Sequence, residues 1–248
     1  MTGAQASEAE ALRPAGGATV RALLFTTGSP FARAVRIILD ELSLDYEKRE
    51  EITTPSVQQR ATASPTLQVP TFWDGDVRLW ESSLIAEYLL HTYGKRPEAD
   101  PPLSARAWRV ADEWRDKLIL STIQTAGTAI TTISQMKWAG VAVGDNAHLT
   151  RSADRLPHLM AWLEDQLPDH RSGFLPGSVS AQDIFLACHL RFAENRPIGV
   201  DPHTSRYPRI AGLLSRLDGR ASFRANPVRW WEPGVTGYKT DGTPVFGG

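Results

Sequence analysis

The 248-residue sequence predicts an α/β unit followed by an all-helical unit. Three observations carry that prediction. Residues 71–73 and 77–80 are short β-prone runs on either side of Asp74-Gly75, the strongest hairpin signal in the chain. Glu81-Ser82-Ser83 then leads into Leu84-Ile85-x-x-Tyr88-Leu89-Leu90, apolar at helical spacing, with serine placed to cap the first turn. Beyond a stretch holding Pro97, Pro101 and Pro102, the texture changes to long helical patterns with no convincing strand before the tail.

The elements follow in order. Residues 21–26 read as a short buried strand. Pro30 suits the first turn of the helix that comes next, where a missing N–H costs nothing. In that helix Val35, Ile38, Leu39 and Leu42 form one apolar face. Residues 46–52 alternate as a second strand, with Glu47, Arg49 and Glu51 on one side. Residues 53–63 read as loop and short helix. The hairpin and a third helix follow, with Gly94 as the C-cap candidate. The first half is therefore βαβαββα. In the second half, 104–138 carries Trp108, Ala111, Trp114, Leu118 and Ile119 on one side, and Gly127 marks a possible kink. Further helical runs lie at 156–167, 181–193 and 210–217, with a short segment near Phe223. Val179-Ser180-x-x-Asp183-Ile184 forms a capping box with its hydrophobic staple, a structural motif. The expected division is a mobile tail at 1–19, an α/β domain at 20–94, a linker at 95–103, a helical domain at 104–230 and an irregular tail at 231–248.

Composition excludes several classes. Lys and Arg number 27 against 28 Asp and Glu, and they form no basic run, so a nucleic-acid footprint is not expected. No apolar run approaches the length of a membrane span. Cys188 is the single cysteine, so no intrachain disulfide framework exists, as in cytoplasmic proteins. It lies on the core face of a helical run and reads as an inert buried thiol. The histidines have no metal-ligand spacing, and no metal is expected.

The stretch from Val69-Pro70 through the hairpin to Glu81-Ser82 resembles the N-terminal domain of glutathione transferases. The Ser180-x-x-Asp183 box, Tyr207-Pro208 and Ser222-Phe223 are similar to that family's later helices, so the likeness spans about 21–225. It implies a thioredoxin-like first domain and a helical second domain, with Val69-Pro70 cis. It also implies glutathione as co-substrate: the Val69 backbone would pair with the cysteinyl unit, Glu81 and Ser82 would hold the γ-glutamyl end, and Gln68 would contact the glycyl end. Free N–H groups and the positive end of a helix dipole favour a carboxylate there. The bland alternative is a hairpin followed by a capped helix. The chain departs from the family's Asn-Pro-x-Gly-x-Val-Pro pattern, with Ser64 for Asn and Leu67 for Gly, which puts the loop geometry in question.

Phe25 stands where tyrosine-type members carry their hydroxyl. Ser29, in Ser29-Pro30-Phe31-Ala32-Arg33, stands where serine-type members carry serine, and is the candidate donor to the glutathione thiolate. Thr26 and Thr27 compete with it, and an ordinary N-cap before Pro30 is the structural alternative. Without a cysteine at Ser29 or Ala32, disulfide exchange is not expected. Arg33 and Arg36 are left open between charge partners and solvent-facing side chains. The second-substrate pocket is expected between the domains, against a small and hydroxylated run at 121–134 that includes Thr125, Thr128, Thr131 and Thr132. Phe31, Thr125, Thr128 and Met136 are the wall candidates, Gln135 and Trp138 extend the wall, and Trp230-Trp231 either cover it or pin the tail; a helix packed closely on a neighbour is the bland alternative. The resemblance implies a cytoplasmic homodimer acting on a small electrophile, as in detoxification. An isomerase, an ether-cleaving enzyme or a dehalogenase on the same scaffold is the first alternative, and a non-catalytic binding protein the second.

Overall fold

In the computed structural model, residues 21–51, 56–94, 101–169, 173–229, 234–239 and 243–247 are described. The expected tail at 1–19, most of the linker and Trp230-Trp231 lie outside them.

The first half is a four-stranded sheet in the order β2-β1-β3-β4. Strand β1 (Arg21–Phe25) is parallel to β2 (Glu47–Glu50) and antiparallel to β3 (Thr71–Asp74), which pairs with β4 (Val77–Trp80). Asp74 pairs with Val77, so the two hairpin loop residues are Gly75 and Asp76, one place later than Asp74-Gly75, with Gly75 at φ +58°. The edge strand β2 is wholly charged, which discourages further strand addition.

Helices α1 (Pro30–Glu41) and α3 (Ser82–Tyr93) cover one face of the sheet, where Leu23, Phe25 and Phe72 join the main core. On the other face Ala22, Leu24, Ala63 and Trp73 form a small separate cluster with Val69, closed by α2 (Val57–Ala63). This is the thioredoxin-like arrangement. Gly94 does end α3, but at φ −68°, so conformational freedom is not the reason for a glycine. A Cβ there would collide with the Leu90 carbonyl and Ala105.

The second half is helical: α4 (Glu113–Trp138), α5 (Ala147–Gln166), α6 (Ala181–Glu194), α7 (Pro208–Asp218) and α8 (Ala221–Ala225). Helix α6 is buried along almost its whole length and packs on both α1 and α4, so the main core runs without a break through both halves. The capping box forms as read: Ser180 Oγ accepts from Asp183 N, and Asp183 accepts from Ser180 N at 2.8 Å and from Phe174 N at 2.9 Å. Burial pushes the Asp183 carboxyl up to about 6 even against these hydrogen bonds.

Several expectations are corrected. Helix α4 begins at Glu113, because residues 104–112 fold into turns around the buried Asp116, which accepts from Arg109 N at 2.7 Å. Trp114 and Leu118 are exposed, and the core face is Ile119, Ile123, Ala126, Ile130 and Ile133. Helix α4 is continuous through Gly127. The glycine lets the His189 ring approach, since a Cβ would overlap that ring. Helix α5 starts before the expected run, at a cap in which Asn146 Oδ1 accepts from His148 N and Leu149 N, and it continues through Pro157. The tail is not wholly irregular: β5 (Val235–Tyr238) and β6 (Pro244–Phe246) pair antiparallel. At the end of the expected linker, Leu103 is buried and bridges to Val179.

Both arginines of α1 are buried in whole or in large part and point inward. Arg33 Nε donates to the Asn226 carbonyl at 2.6 Å, and its guanidinium lies 5.4 Å from the Phe223 ring centre. The Arg36 guanidinium lies 4.8 Å from the Phe25 ring centre, and burial lowers its pKa. Cys188 is fully buried, 3.7 Å from Arg33 Nη1, and burial raises its thiol pKa.

Candidate active site

Three loops of the first half meet at one end of the sheet. The first is the turn into α1. Ser29 N donates to Thr26 O at 3.1 Å, and Ser29 Oγ accepts from Ala32 N at 3.2 Å, capping the helix with Pro30 at its start. A hydroxyl carries one proton and two lone pairs, so accepting the cap bond leaves the O–H free to donate elsewhere.

The second loop joins α2 to β3. Ser64 is buried, lies 2.7 Å from Thr66 Oγ1 and accepts from Thr66 N at 3.1 Å, so its side chain folds the loop. Leu67 sits at φ +57°, the left-handed region that a glycine enters freely. Its carbonyl accepts from Arg60 Nη1 at 3.0 Å. The branched side chain therefore leaves a glycine-like backbone in place, at a cost of about 1–2 kcal/mol. The Val69-Pro70 bond is cis.

The third loop is the entry to α3. Glu81 holds φ +70° and ψ 108°, its carbonyl accepts from Ile85 N at 3.0 Å, and no side chain caps the helix. The expected serine cap is thus corrected. Glu81 occupies the cap position and turns the chain, so Ser82 and Ser83 fall inside the first turn, whose N–H groups have no side-chain acceptor.

These loops surround two neighbouring cavities. The smaller, about 160 Å³, is lined by Gln68, Val69, Pro70, Glu81, Ser82 and Ser83 from the first half, with Phe31 of α1 and with Gln124 and Thr128 of α4 across the gap. The larger, about 510 Å³, shares Phe31, Gln68, Val69 and Thr128 with it and extends past Ser29 and Thr26. One face of α4, carrying Thr128, Thr131, Thr132, Gln135 and Trp138 at helical spacing, forms its far wall, with Phe192 of α6. Its charged wall residues among those described are Glu51 and Arg60, paired at 2.5 Å. Burial raises the Glu51 carboxyl against the pull of Arg60.

All six residues read as the reacting and tripeptide-binding set, Ser29, Gln68, Val69, Pro70, Glu81 and Ser82, therefore line one or both of two cavities that share Phe31, Gln68, Val69 and Thr128 as walls. Thr26 shares the cavity with Ser29, whereas Thr27 is not among its walls. Phe31 and Thr128 stand where a second-substrate pocket was expected. Thr125 and Met136 do not. Thr125 is exposed, with its hydroxyl bonded back to Ser121 O, and Met136 packs against the core. Thr131 and Thr132, from the small and hydroxylated run expected at the pocket, line the cavity at i+3 and i+4 from Thr128, with Gln135 at i+7. Phe192, Gln124 and His189 carry no signal in the sequence for a place at the cleft.

His189 is fully buried behind the smaller cavity. Its Nε2 is 3.3 Å from Gln124 Oε1, and its ring lies edge-on to Phe31 with centroids 4.6 Å apart. Burial pushes its pKa down to about 3, so the ring is neutral. Among the described residues no cluster suited to a metal occurs. A further cavity, about 1190 Å³, lies elsewhere, where Asp40 and Glu41 face Leu213, Arg220 and Ser222. It holds none of the candidate residues, and its walls adjoin the segments 95–100 and 170–172, outside the described residues.

Comparison with known proteins agrees with this geometry. The profile described as glutathione S-transferase, N-terminal domain, matches residues 23–97, and the one described as glutathione S-transferase, C-terminal domain, matches 146–216. The chain belongs to the glutathione S-transferase family. No curated protein matches by sequence. Among solved structures it is similar to a glutathione S-transferase from Methylobacillus flagellatus with glutathione bound (TM-score 0.65, 21% identity, 83% of this chain and 98% of that one). Similar too are one from Methylobacterium radiotolerans in complex with glutathione sulfonate (0.64, 24%, 84% and 94%) and one from Rhodospirillum rubrum (0.67, 20%, 86% and 94%). At these identities the likeness speaks for the fold.

Proposed function

We propose that this protein is a glutathione transferase of the serine type, which ionises bound glutathione and directs its sulfur onto a small electrophile. The observation that carries this reading is the convergence of Ser29, cis Val69-Pro70 and the uncapped start of α3 on two cavities that share walls. The γ-glutamyl carboxylate meets the first-turn N–H groups and the Ser82 hydroxyl, and its ammonium meets the Glu81 carboxylate. The Val69 backbone pairs with the cysteinyl unit, and Gln68 faces the glycyl end. The Ser29 O–H donates to the thiolate. A hydrogen bond to a charged group is worth about 1.5–3 kcal/mol, which lowers the thiol pKa by roughly one to two units. A carbon–sulfur bond then forms in the larger cavity as the leaving group departs, or the thiolate adds to an activated double bond.

Leu67 holds φ +57°, a conformation that glycine enters freely, so the departure from the family pattern is compatible with a glutathione-binding loop. Exposed Val77 and Leu84 on the first half and Val110, Trp114 and Leu118 on the second are suited to a homodimer contact. A cytoplasmic setting is consistent with a lone buried cysteine. The test is a titration with reduced glutathione, followed by the ultraviolet absorbance of the thiolate in the complex against pH. Saturable binding with a lowered thiol pKa is the expected result; absence of binding would overturn the reading.

A further inference from the structure

The smaller cavity has a wall that the first half does not supply. Gln124 belongs to α4, yet it lines the same space as Glu81, Ser82 and Ser83. Its Oε1 is engaged with His189 Nε2, while its Nε2 is shielded from water and has no protein acceptor. A buried amide N–H without a partner is destabilising, so its persistence calls for an explanation.

His189 accounts for the orientation. The ring is neutral and therefore carries its proton on one nitrogen. Phe31 and Phe185 flank it, and Gly127 lets it come close to α4. A proton on Nε2 makes the ring the donor to Gln124 Oε1 and leaves Nδ1, which also has no partner, as a lone pair instead of an orphan N–H. The carboxamide is then held with its NH₂ group as the free end.

We infer that Gln124, oriented by His189, is a positioning residue that donates a hydrogen bond from the second domain to the γ-glutamyl carboxylate of glutathione, opposite the start of α3. This rests on the reading of the cleft as a glutathione site. The bond would reach across the domain boundary, so the tripeptide is gripped by both halves. Phe31, which touches His189 and lines both cavities, links this grip to the reacting end.

The experiment compares two ligands by calorimetry. One is glutathione. The other is γ-aminobutyryl-cysteinylglycine, in which hydrogen replaces the glutamyl carboxylate. In the wild-type protein glutathione is expected to bind more tightly. In Gln124→Leu that preference should shrink by about ten-fold, as loss of a charge-assisted bond requires, while the analogue binds as before. In Gln124→Glu, of nearly the same shape, the preference should shrink further, because the new carboxylate repels only the ligand that has one. Far-ultraviolet circular dichroism confirms that each variant is folded. A wild-type preference retained in both variants, or equal weakening of both ligands, would overturn the inference and leave the glutathione site standing. Failure of the wild-type protein to bind glutathione at all would instead bring down the reading beneath it.

Discussion

The two ends of the cleft are built differently. The end proposed to hold the tripeptide is made largely of backbone: a cis peptide bond at Val69-Pro70, a left-handed Leu67, a Glu81 at φ +70° and the uncapped first turn of α3. The end proposed for the electrophile is made of side chains, namely Thr128, Thr131, Thr132, Gln135 and Trp138 along one helix face with Phe192 behind. A backbone site demands a few residue types at fixed places and holds one ligand. A side-chain wall can change residue by residue without disturbing the helix beneath it. One end is thus suited to a constant co-substrate and the other to a variable one.

The largest expected effect breaks both ends at once. Helix α6 carries His189 and Phe192, and its start depends on Asp183. Asp183→Ala would leave Ser180 N and Phe174 N buried without acceptors, a loss of about 2–6 kcal/mol measurable by urea denaturation. The same carboxyl gives a pH signature. Its folded pKa, raised to about 6 from 3.8, lies above the unfolded value, so the folded state holds the proton more tightly. Its stabilising term is whole below about pH 4 and is lost as pH rises through about 6. The stability of the wild-type protein relative to Asp183→Asn should fall across that window; a flat difference would argue against the raised pKa.

The next effect separates the two ends. Glu81→Ala/Ser82→Ala should weaken glutathione binding by about ten- to a hundred-fold, from the loss of charge-assisted contacts, while leaving unfolding nearly unchanged. Unchanged affinity would mean that the backbone alone makes the site. Ser29→Ala should raise the thiol pKa of bound glutathione by about one to two units and cost about 1 kcal/mol of stability through the lost cap. Ser29→Asp keeps a cap but places an anion beside the sulfur, so its stability should recover and its thiol pKa should not. Wild-type thiol acidity in both variants would move the donor role to Thr26. The smallest effect is at Leu67. Leu67→Gly should change stability by no more than about 1 kcal/mol, because relief of the left-handed strain is offset by greater chain entropy.

The same contrast explains what could be read in advance. The end proposed for the tripeptide is legible because its backbone needs Pro70, a turn at Gly75 and an acid-Ser pair, and these are visible as letters at fixed spacing. The electrophile wall was half legible. Thr128 and Phe31 line the cavity, whereas Thr125 lies round the helix from it and Met136 packs against the core, since composition alone does not fix the rotation of a helix. Trp114 and Leu118 misled for the same reason: the boundary of α4 was placed too early, and with it the phase of its apolar face. Gln124 and His189 carried no local signal. They are far apart in sequence, and only the crossing of α4 and α6 at Gly127 brings them together.

Helix α1 brings Ser29 and Phe31 to the cleft, yet its far end is fastened by residues near the close of the helical half. Arg220 grips Glu41 through two hydrogen bonds, and Asn226 joins Asp40 to Arg33. A protease nick or premature stop codon ahead of residue 220 would therefore strip the helix that carries Ser29 of its anchor while sparing every residue proposed to hold the tripeptide. Such a fragment would keep the whole motif that identifies the family and lose the footing on which the chemistry stands.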